Sequence, residues 1–253
     1  MENNFNRHIK IATCTLNQWA LDFSGNRDRI IHSINLAKDS NCSIRIGPEL
    51  EISGYGCEDH FLELDTVVHS WEVLSEILPH TMDIFCDIGM PIEFKGIIYN
   101  CRVLAMNKQI LLIRPKIALA DDGNYRESRW FTAWTKGYII EDFNLPKLIT
   151  NVNNQIRTKF GLGVIAGLDF SYACEICEEL WAPFSPSIIL STQGVDIIAN
   201  SSGSHFQVNK QDRRFELIAN SSKKNGGVFV YSNLIGCDGG RLYFDGGDRK
   251  SVV

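Results

Sequence analysis

Apolar positions along the chain alternate between two periods, and the alternation predicts a β-loop-α opening. Ile9-Lys10-Ile11-Ala12-Thr13-Cys14 reads as a strand. Asn26 then offers a helix cap, and Ile30, Ile31, Ile34 and Ala37 share one helical face. Cys42 to Ile46 reads as the next strand, and Val67, Val68, Trp71, Leu74 and Leu78 mark a second amphipathic helix ending before Pro79 and His80. From Met82 to Ile113 the pattern changes to strands in succession, with Gly96 and Asn107-Lys108 as the turns. After a polar loop around Asp121 to Asn124 the helical alternation returns. Gly163 to Leu168 reads as a strand, Pro186 to Gln193 as a helix closed by Gly194, and Val195 to Ala199 as a strand. A helix over Gln211 to Lys224 ends at Gly226 and Gly227, before the strand Val228 to Tyr231. There is no internal repeat and no low-complexity tract. The expectation is one α/β domain.

Composition agrees. A chain of 253 residues, 44% of them hydrophobic, can build one large core without a second domain. A net charge of −5 and no lysine or arginine run longer than a pair exclude a phosphate-backbone footprint, so nucleic acid is not an expected partner. The segment Met1 to His8 has no apolar signal core, and no apolar run approaches the ~20 residues of a membrane span, so the expectation is a soluble, cytoplasmic protein with no membrane partner. Eight cysteines lie mostly inside apolar stretches, where a thiol behaves as a small hydrophobe, and none is read as a disulfide partner.

Three residues stand where apolar runs stop. Glu49 closes Ile44 to Pro48, Lys116 closes Ile110 to Pro115, and Cys177 stands in Ala173-Cys174-Glu175-Ile176-Cys177-Glu178-Glu179-Leu180-Trp181. Strand ends are where α/β sheets place catalytic groups. An acid, a cation and a thiol together can cleave an amide, because a thiol needs a base to take its proton and a cation to hold the charge that develops. The acidic neighbours Glu175, Glu178, Glu179 and Asp169 would by themselves raise the Cys177 pKa. Each residue also has a plainer reading: a buried structural thiol, a lysine emerging into solvent, a surface glutamate. Glu51 competes with Glu49, since extended backbone would turn both to one face. Cys174 and Cys177 form a C-x-x-C pair, but a zinc site needs a second ligand pair, and His205 and Cys237 are single and distant. Asn200-Ser201-Ser202-Gly203-Ser204-His205 could meet a polar ligand, although its composition reads first as a turn. An ammonium in an apolar pocket is costly, so Lys116→Met is expected to lower turnover far more than stability.

Five segments in order, GPELEISGYG (47–56), LLIRPK (111–116), NYRESRWF (124–131), EICEELW (175–181) and NSSGSH (200–205), resemble the nitrilase, or carbon-nitrogen hydrolase, superfamily. Within it the chain looks most like the N-terminal glutaminase domain of eukaryotic-type glutamine-dependent NAD synthetases, from about Ile9 to Gly246. That resemblance implies an α-β-β-α sandwich that assembles into homo-oligomers. It implies that Glu49 is the general base, Lys116 the lysine and Cys177 the nucleophile of a Glu-Lys-Cys triad, choosing Glu49 over Glu51 and Cys177 over Cys174. Glu127 matches a second glutamate beside the triad, and Tyr55, Tyr125 and Ser204 match positions lining the glutamine pocket. Where relatives have an arginine after the SGS run, this chain has Asn209 and then Lys210. The glutaminase reaction implied needs no cofactor or metal. ATP and Mg²⁺ serve a C-terminal synthetase domain, whose Ser-Gly-Gly-x-Asp-Ser loop does not occur here. A stand-alone amidase on another small amide and an inactive fragment or binding module are the alternatives. Asp248 to Val253 matches, in frame, what a common sequencing adapter encodes, so residues 1–247 are read as a truncated hydrolase domain, 248–253 as a non-native tail, and the sandwich as incomplete at its C-terminus.

Overall fold

A computed structural model describes residues 8–247 and 249–252. Most of the stretch read as lacking a signal core, Met1 to Arg7, lies outside the described residues, as do Asp248 and Val253 of the tail. The first half runs β1 (Ile11–Thr13), α1 (Phe23–Asp39), β2 (Ile44–Ile46), α2 (Leu64–Ile77), β3 (Phe85–Phe94), β4 (Ile97–Met106), β5 (Gln109–Pro115), α3 (Glu127–Trp130), β6 (Ile140–Asn144), α4 (Lys147–Asn153) and β7 (Arg157–Gly161). The second runs β8 (Ile165–Ala166), β9 (Ser171–Ile176), α5 (Pro186–Thr192), β10 (Ile197–Ser202), α6 (Lys210–Asn225), β11 (Val228–Asn233), β12 (Ile235–Cys237), β13 (Tyr243–Asp245) and β14 (Arg249–Val252).

Two sheets result. One has the order β1-β2-β3-β4-β5-β7-β6, the other β14-β11-β10-β9-β8, and β12 and β13 form a separate ribbon. Because side chains alternate across a strand, each sheet has two buried faces. Ile44, Ile46, Phe85, Leu104 and Leu112 of the first sheet meet Tyr172, Cys174, Ile197, Ala199 and Val230 of the second. Cys86, Ile88, Val103 and Ile113 point the other way, onto Ile30 and Ile34 of α1, Trp71 and Leu74 of α2 and Ile149 of α4. Ala173, Ile198 and Phe229 likewise pack on Leu190 of α5 and Ile218 of α6. The layers are therefore helix, sheet, sheet, helix, the expected α-β-β-α sandwich.

Several expectations shift. The α1 cap is Asp22, whose carboxylate accepts from the Gly25 N–H; Asn26 lies inside the helix, fully buried. Its side chain instead donates to the carbonyls of Trp19 at 2.7 Å and Ile52 at 3.0 Å, tying the loop after β1 to the loop that carries Glu49. Val68 is 47% exposed, outside the apolar face of α2. The strand expected over Gly163 to Leu168 shrinks to Ile165–Ala166, because Gly167 N–H turns back onto the Phe170 carbonyl, and the principal strand is β9. The segment Ile140 to Gly161, for which no element was expected, forms β6, α4 and β7. The hairpins in the middle are as expected: Lys95-Gly96 and Asn107-Lys108 are two-residue turns with all four residues at positive φ. Arg249–Val252, within the segment read as a tail, runs antiparallel to β11 at the edge of the second sheet.

Candidate active site

The three singled-out residues converge where strands of both sheets end. Glu49 follows β2, Lys116 follows β5 and Cys177 follows β9. Glu49 and Lys116 are fully buried, Glu127 is 1% exposed and Cys177 3%.

Buried charges must be paired or hydrogen-bonded, and these are. The Lys116 Nζ donates to Glu49 Oε1 at 2.6 Å and to Glu127 Oε1 at 2.8 Å. Glu49 Oε1 also accepts from Asn100 Nδ2 at 2.8 Å, and Oε2 from the Gly203 N–H at 2.9 Å. Glu127 accepts from the Tyr55 hydroxyl and, at 3.0 Å, from the Ala120 N–H. An ammonium has three donors and a carboxylate about four acceptor positions. Lys116 Nζ also lies 2.8 Å from Glu127 Oε2, so both carboxylates grip the ammonium, and by count one acceptor position of Glu49 remains.

The electrostatics follow from this packing. Burial alone would lower the Lys116 pKa, but the Glu127 and Glu49 carboxylates outweigh it and hold the ammonium above its ordinary value. Burial, with the Glu49 charge adding and Lys116 opposing, pushes the Cys177 thiol up. Burial also pushes Glu127 up, to about 7, against the pull of Lys116. Cys177 rests as a thiol beside a base.

Its backbone is strained. Cys177 has a φ of +40°, in the left-handed region, at the turn from β9 into the 3₁₀ segment Cys177–Leu180. Glu179 holds this elbow: it accepts from the Ile176 N–H at 2.7 Å, from the Ile117 N–H at 2.6 Å and from Arg114 Nη1 at 2.6 Å. Glu175 is turned away and accepts from the Ser187 N–H. Of the four acidic neighbours of Cys177 in the sequence, Glu178 is the one that lines the cavity in front of the thiol. Cys174 sits in the apolar seam between the sheets, and among the described residues no cluster of three or more His, Cys, Asp or Glu could hold a metal ion.

Glu51 is disposed of by geometry. Residues 49–53 form a turn with Leu50 at a φ of +49°, so the two carboxylates diverge instead of sharing a face. Glu51 meets Arg45 in a buried bidentate pair, 2.7 Å on each arm. The loop that carries Glu49 is in turn clamped by Arg102, which donates to the carbonyls of Pro48 at 2.6 Å and Gly47 at 2.9 Å.

A cavity of about 420 Å³ opens onto Cys177, lined among others by Asp122, Tyr125, Glu178, Trp181, Ser204 and Lys210. Tyr125 and Ser204 are therefore at the cavity wall. Tyr55 and Glu127 are not in that lining and stand behind the lysine. The Tyr125 hydroxyl donates to the Gly203 carbonyl and accepts from the His205 N–H, both at 2.9 Å. The run from Asn200 is not a turn at its start: Asn200, Ser201 and Ser202 are fully buried members of β10, paired with Tyr231 to Asn233, and the chain leaves the strand at Gly203. Asn209 caps α6 with a φ of +64° and also lines the cavity. Sequence reasoning missed Asn100, Trp181 and Arg213. The signal for Asn100 is a lone amide inside the apolar run of β4.

A cysteine, a carboxylate and a lysine held in this way at the strand ends of an α-β-β-α sandwich are the groups that thiol-dependent cleavage of a carbon–nitrogen bond requires. Residues 10–246 match the family Carbon-nitrogen hydrolase, and the chain belongs to it. It is 54% identical over 240 residues to a glutamine-dependent NAD(+) synthetase of Saccharomyces cerevisiae, 52% over 241 to that of Dictyostelium discoideum and 50% over 242 to that of Homo sapiens. The matches cover 94–95% of this chain but only 34% of each relative, so the chain spans about a third of their length. Among solved structures, a glutamine-dependent NAD(+) synthetase from Cytophaga hutchinsonii superposes over 96% of this chain and 40% of its own, with a TM-score of 0.83 and 31% identity. An amidase from Nesterenkonia sp. AN1 shares the fold over 96% of this chain and 85% of its own, with a TM-score of 0.76 and 17% identity.

Proposed function

We propose that this chain is the glutaminase portion of a glutamine-dependent NAD synthetase. The observation that carries the chemistry is the convergence of three buried groups, with Lys116 paired to Glu49 and both charges acting on the Cys177 thiol. The relatives named above supply the substrate.

Cys177 Sγ attacks the side-chain carboxamide carbon of glutamine while its proton passes to Glu49, forming the carbon–sulfur bond and a tetrahedral oxyanion. The Lys116 ammonium and the Glu178 N–H receive that oxyanion, each such donor contributing on the order of 3–4 kcal/mol. Glu49 returns the proton to the leaving nitrogen, the carbon–nitrogen bond breaks, and ammonia departs from a glutamyl thioester. Water then attacks the thioester, giving one proton to Glu49. The thiol takes that proton back as glutamate leaves, so the cycle converts glutamine and water to glutamate and ammonia. No cofactor enters these steps. Cavity walls that carry both signs, Asp122 and Glu178 against Lys210 and Arg213, suit the zwitterionic end of an amino acid.

In the whole enzyme, on this reading, the ammonia passes to a synthetase portion that uses ATP and Mg²⁺ to amidate deamido-NAD. The setting is cytoplasmic; among the described residues no helix is long and apolar enough to cross a membrane. A homo-oligomer is the assembly implied by the superfamily.

An electrophilic glutamine analogue should alkylate Cys177, shown by peptide mass, and glutamine should protect it. A screen of glutamine against ω-amides and N-carbamoyl amino acids separates a glutaminase from an amidase of other specificity. Hydrolysis of those amides with none of glutamine would overturn the reading.

A further inference from the structure

Among the described residues every buried cation is paired with a carboxylate, whereas two cations nearer the surface, in the cavity wall, are not. Arg45, Arg102, Arg114, Lys116 and Arg214 each have a carboxylate within 3.0 Å. Lys210 and Arg213, one turn apart on α6 and both lining the cavity with Cys177, have none: among the described residues no ion pair includes either. Both lie against Trp181, with the Lys210 Nζ 5.6 Å and the Arg213 guanidinium carbon 5.7 Å from the ring centroid. Lys210 is further held 5.5 Å from the Tyr125 ring and 3.1 Å from His205 Nδ1. These partners position a cation without neutralising it. A guanidinium stacked on an aromatic ring keeps its in-plane donors for a planar anion, and a carboxylate matches that fork in two bonds.

We propose that Arg213 reads the α-carboxylate of the amide substrate, alongside Lys210 on the Trp181 ring, and so sets a preference for amino-acid amides over plain amides. This rests on the glutamine reading above and assigns the carboxylate to a residue one helical turn beyond Asn209. Arg213 is a specificity residue: it touches the substrate's charged end, and the reacting carboxamide lies with Cys177.

The test compares glutamine with 4-aminobutanamide, the same molecule without its carboxylate. In the unaltered protein glutamine should be the better substrate by kcat/KM. Arg213→Ala should reduce that preference about 10- to 100-fold, the range for a charged hydrogen-bonded contact, through KM for glutamine, with kcat held within about threefold. Arg213→Lys should fall between. Arg213 is exposed, so the fold should persist, and unchanged circular dichroism confirms it. An unchanged preference in Arg213→Ala, or equal losses on both amides, overturns the proposal while leaving the glutaminase reading intact. No preference for glutamine in the unaltered protein removes that reading, and this proposal with it, before any substitution is made.

Discussion

Glu179 and Arg114 join the two sheets behind the active site, at 2.6 Å, with both side chains out of reach of solvent. The same carboxylate accepts from the N–H groups next to Lys116 and before Cys177, so one buried side chain spaces the lysine and the thiol. Glu179→Gln should therefore lower both stability and kcat. Leaving Arg114 buried and unpaired should cost about 3–5 kcal/mol, measured by urea unfolding. Adding Arg114→Met should recover much of that stability but not the turnover, since the Ile117 and Ile176 N–H groups still lack their charged acceptor.

Cys177→Ala should abolish glutamine hydrolysis, and Cys174→Ala should keep most of it. Cys174 packs between the sheets, so its removal leaves a small cavity and a modest loss of stability, on the order of 1 kcal/mol. Equal loss of activity in the two variants would return attention to the C-x-x-C pair.

Lys116→Met should now lower stability as well as turnover, contrary to the expectation from sequence. Lys116 lies between the carboxylates of Glu49 and Glu127, and taking it away leaves two buried anions facing each other, with an expected loss of about 3–5 kcal/mol. The double variant Lys116→Met, Glu127→Gln should regain part of that loss and stay inactive. Thermal melts of the three proteins check the sign.

The pH response of the thiol carries a sign that separates base from bystander. Burial and the Glu49 charge hold the Cys177 pKa above its ordinary value, so alkylation by iodoacetamide should still be rising at alkaline pH where a free thiol has levelled off. Glu49→Gln removes an anion that raises the thiol, so its titration should move down in pH and alkylation at a given alkaline pH should quicken. Glutamine turnover in the same variant should fall by about 10² or more, because no base remains to take and return the proton. Slower alkylation in Glu49→Gln would mean that Glu49 does not act on the thiol electrostatically.

Much of this protein is local information. The two-residue hairpins around Gly96 and Asn107-Lys108, the α6 stop at Gly226 and the strand-end positions of Glu49, Lys116 and Cys177 follow from period, turn chemistry and the cost of burying charge, all of which act over a few neighbouring residues. The family resemblance then orders the triad, because five segments keep their sequence. What only the tertiary structure decided is which polar groups meet across long separations. Glu51 was indistinguishable from Glu49 until Leu50 turned the backbone and Arg45 claimed one carboxylate, leaving the other to Lys116. Asn26 read as a cap because short polar side chains favour helix starts, yet it is spent 26 residues away on the Ile52 carbonyl. Val228 to Tyr231 read as a strand, but its neighbours in the sheet, β10 and β14, could not be read. Pairing, burial and the charge a side chain meets are properties of segments distant in the chain, and a linear pattern of apolar and polar positions holds no record of distance in space.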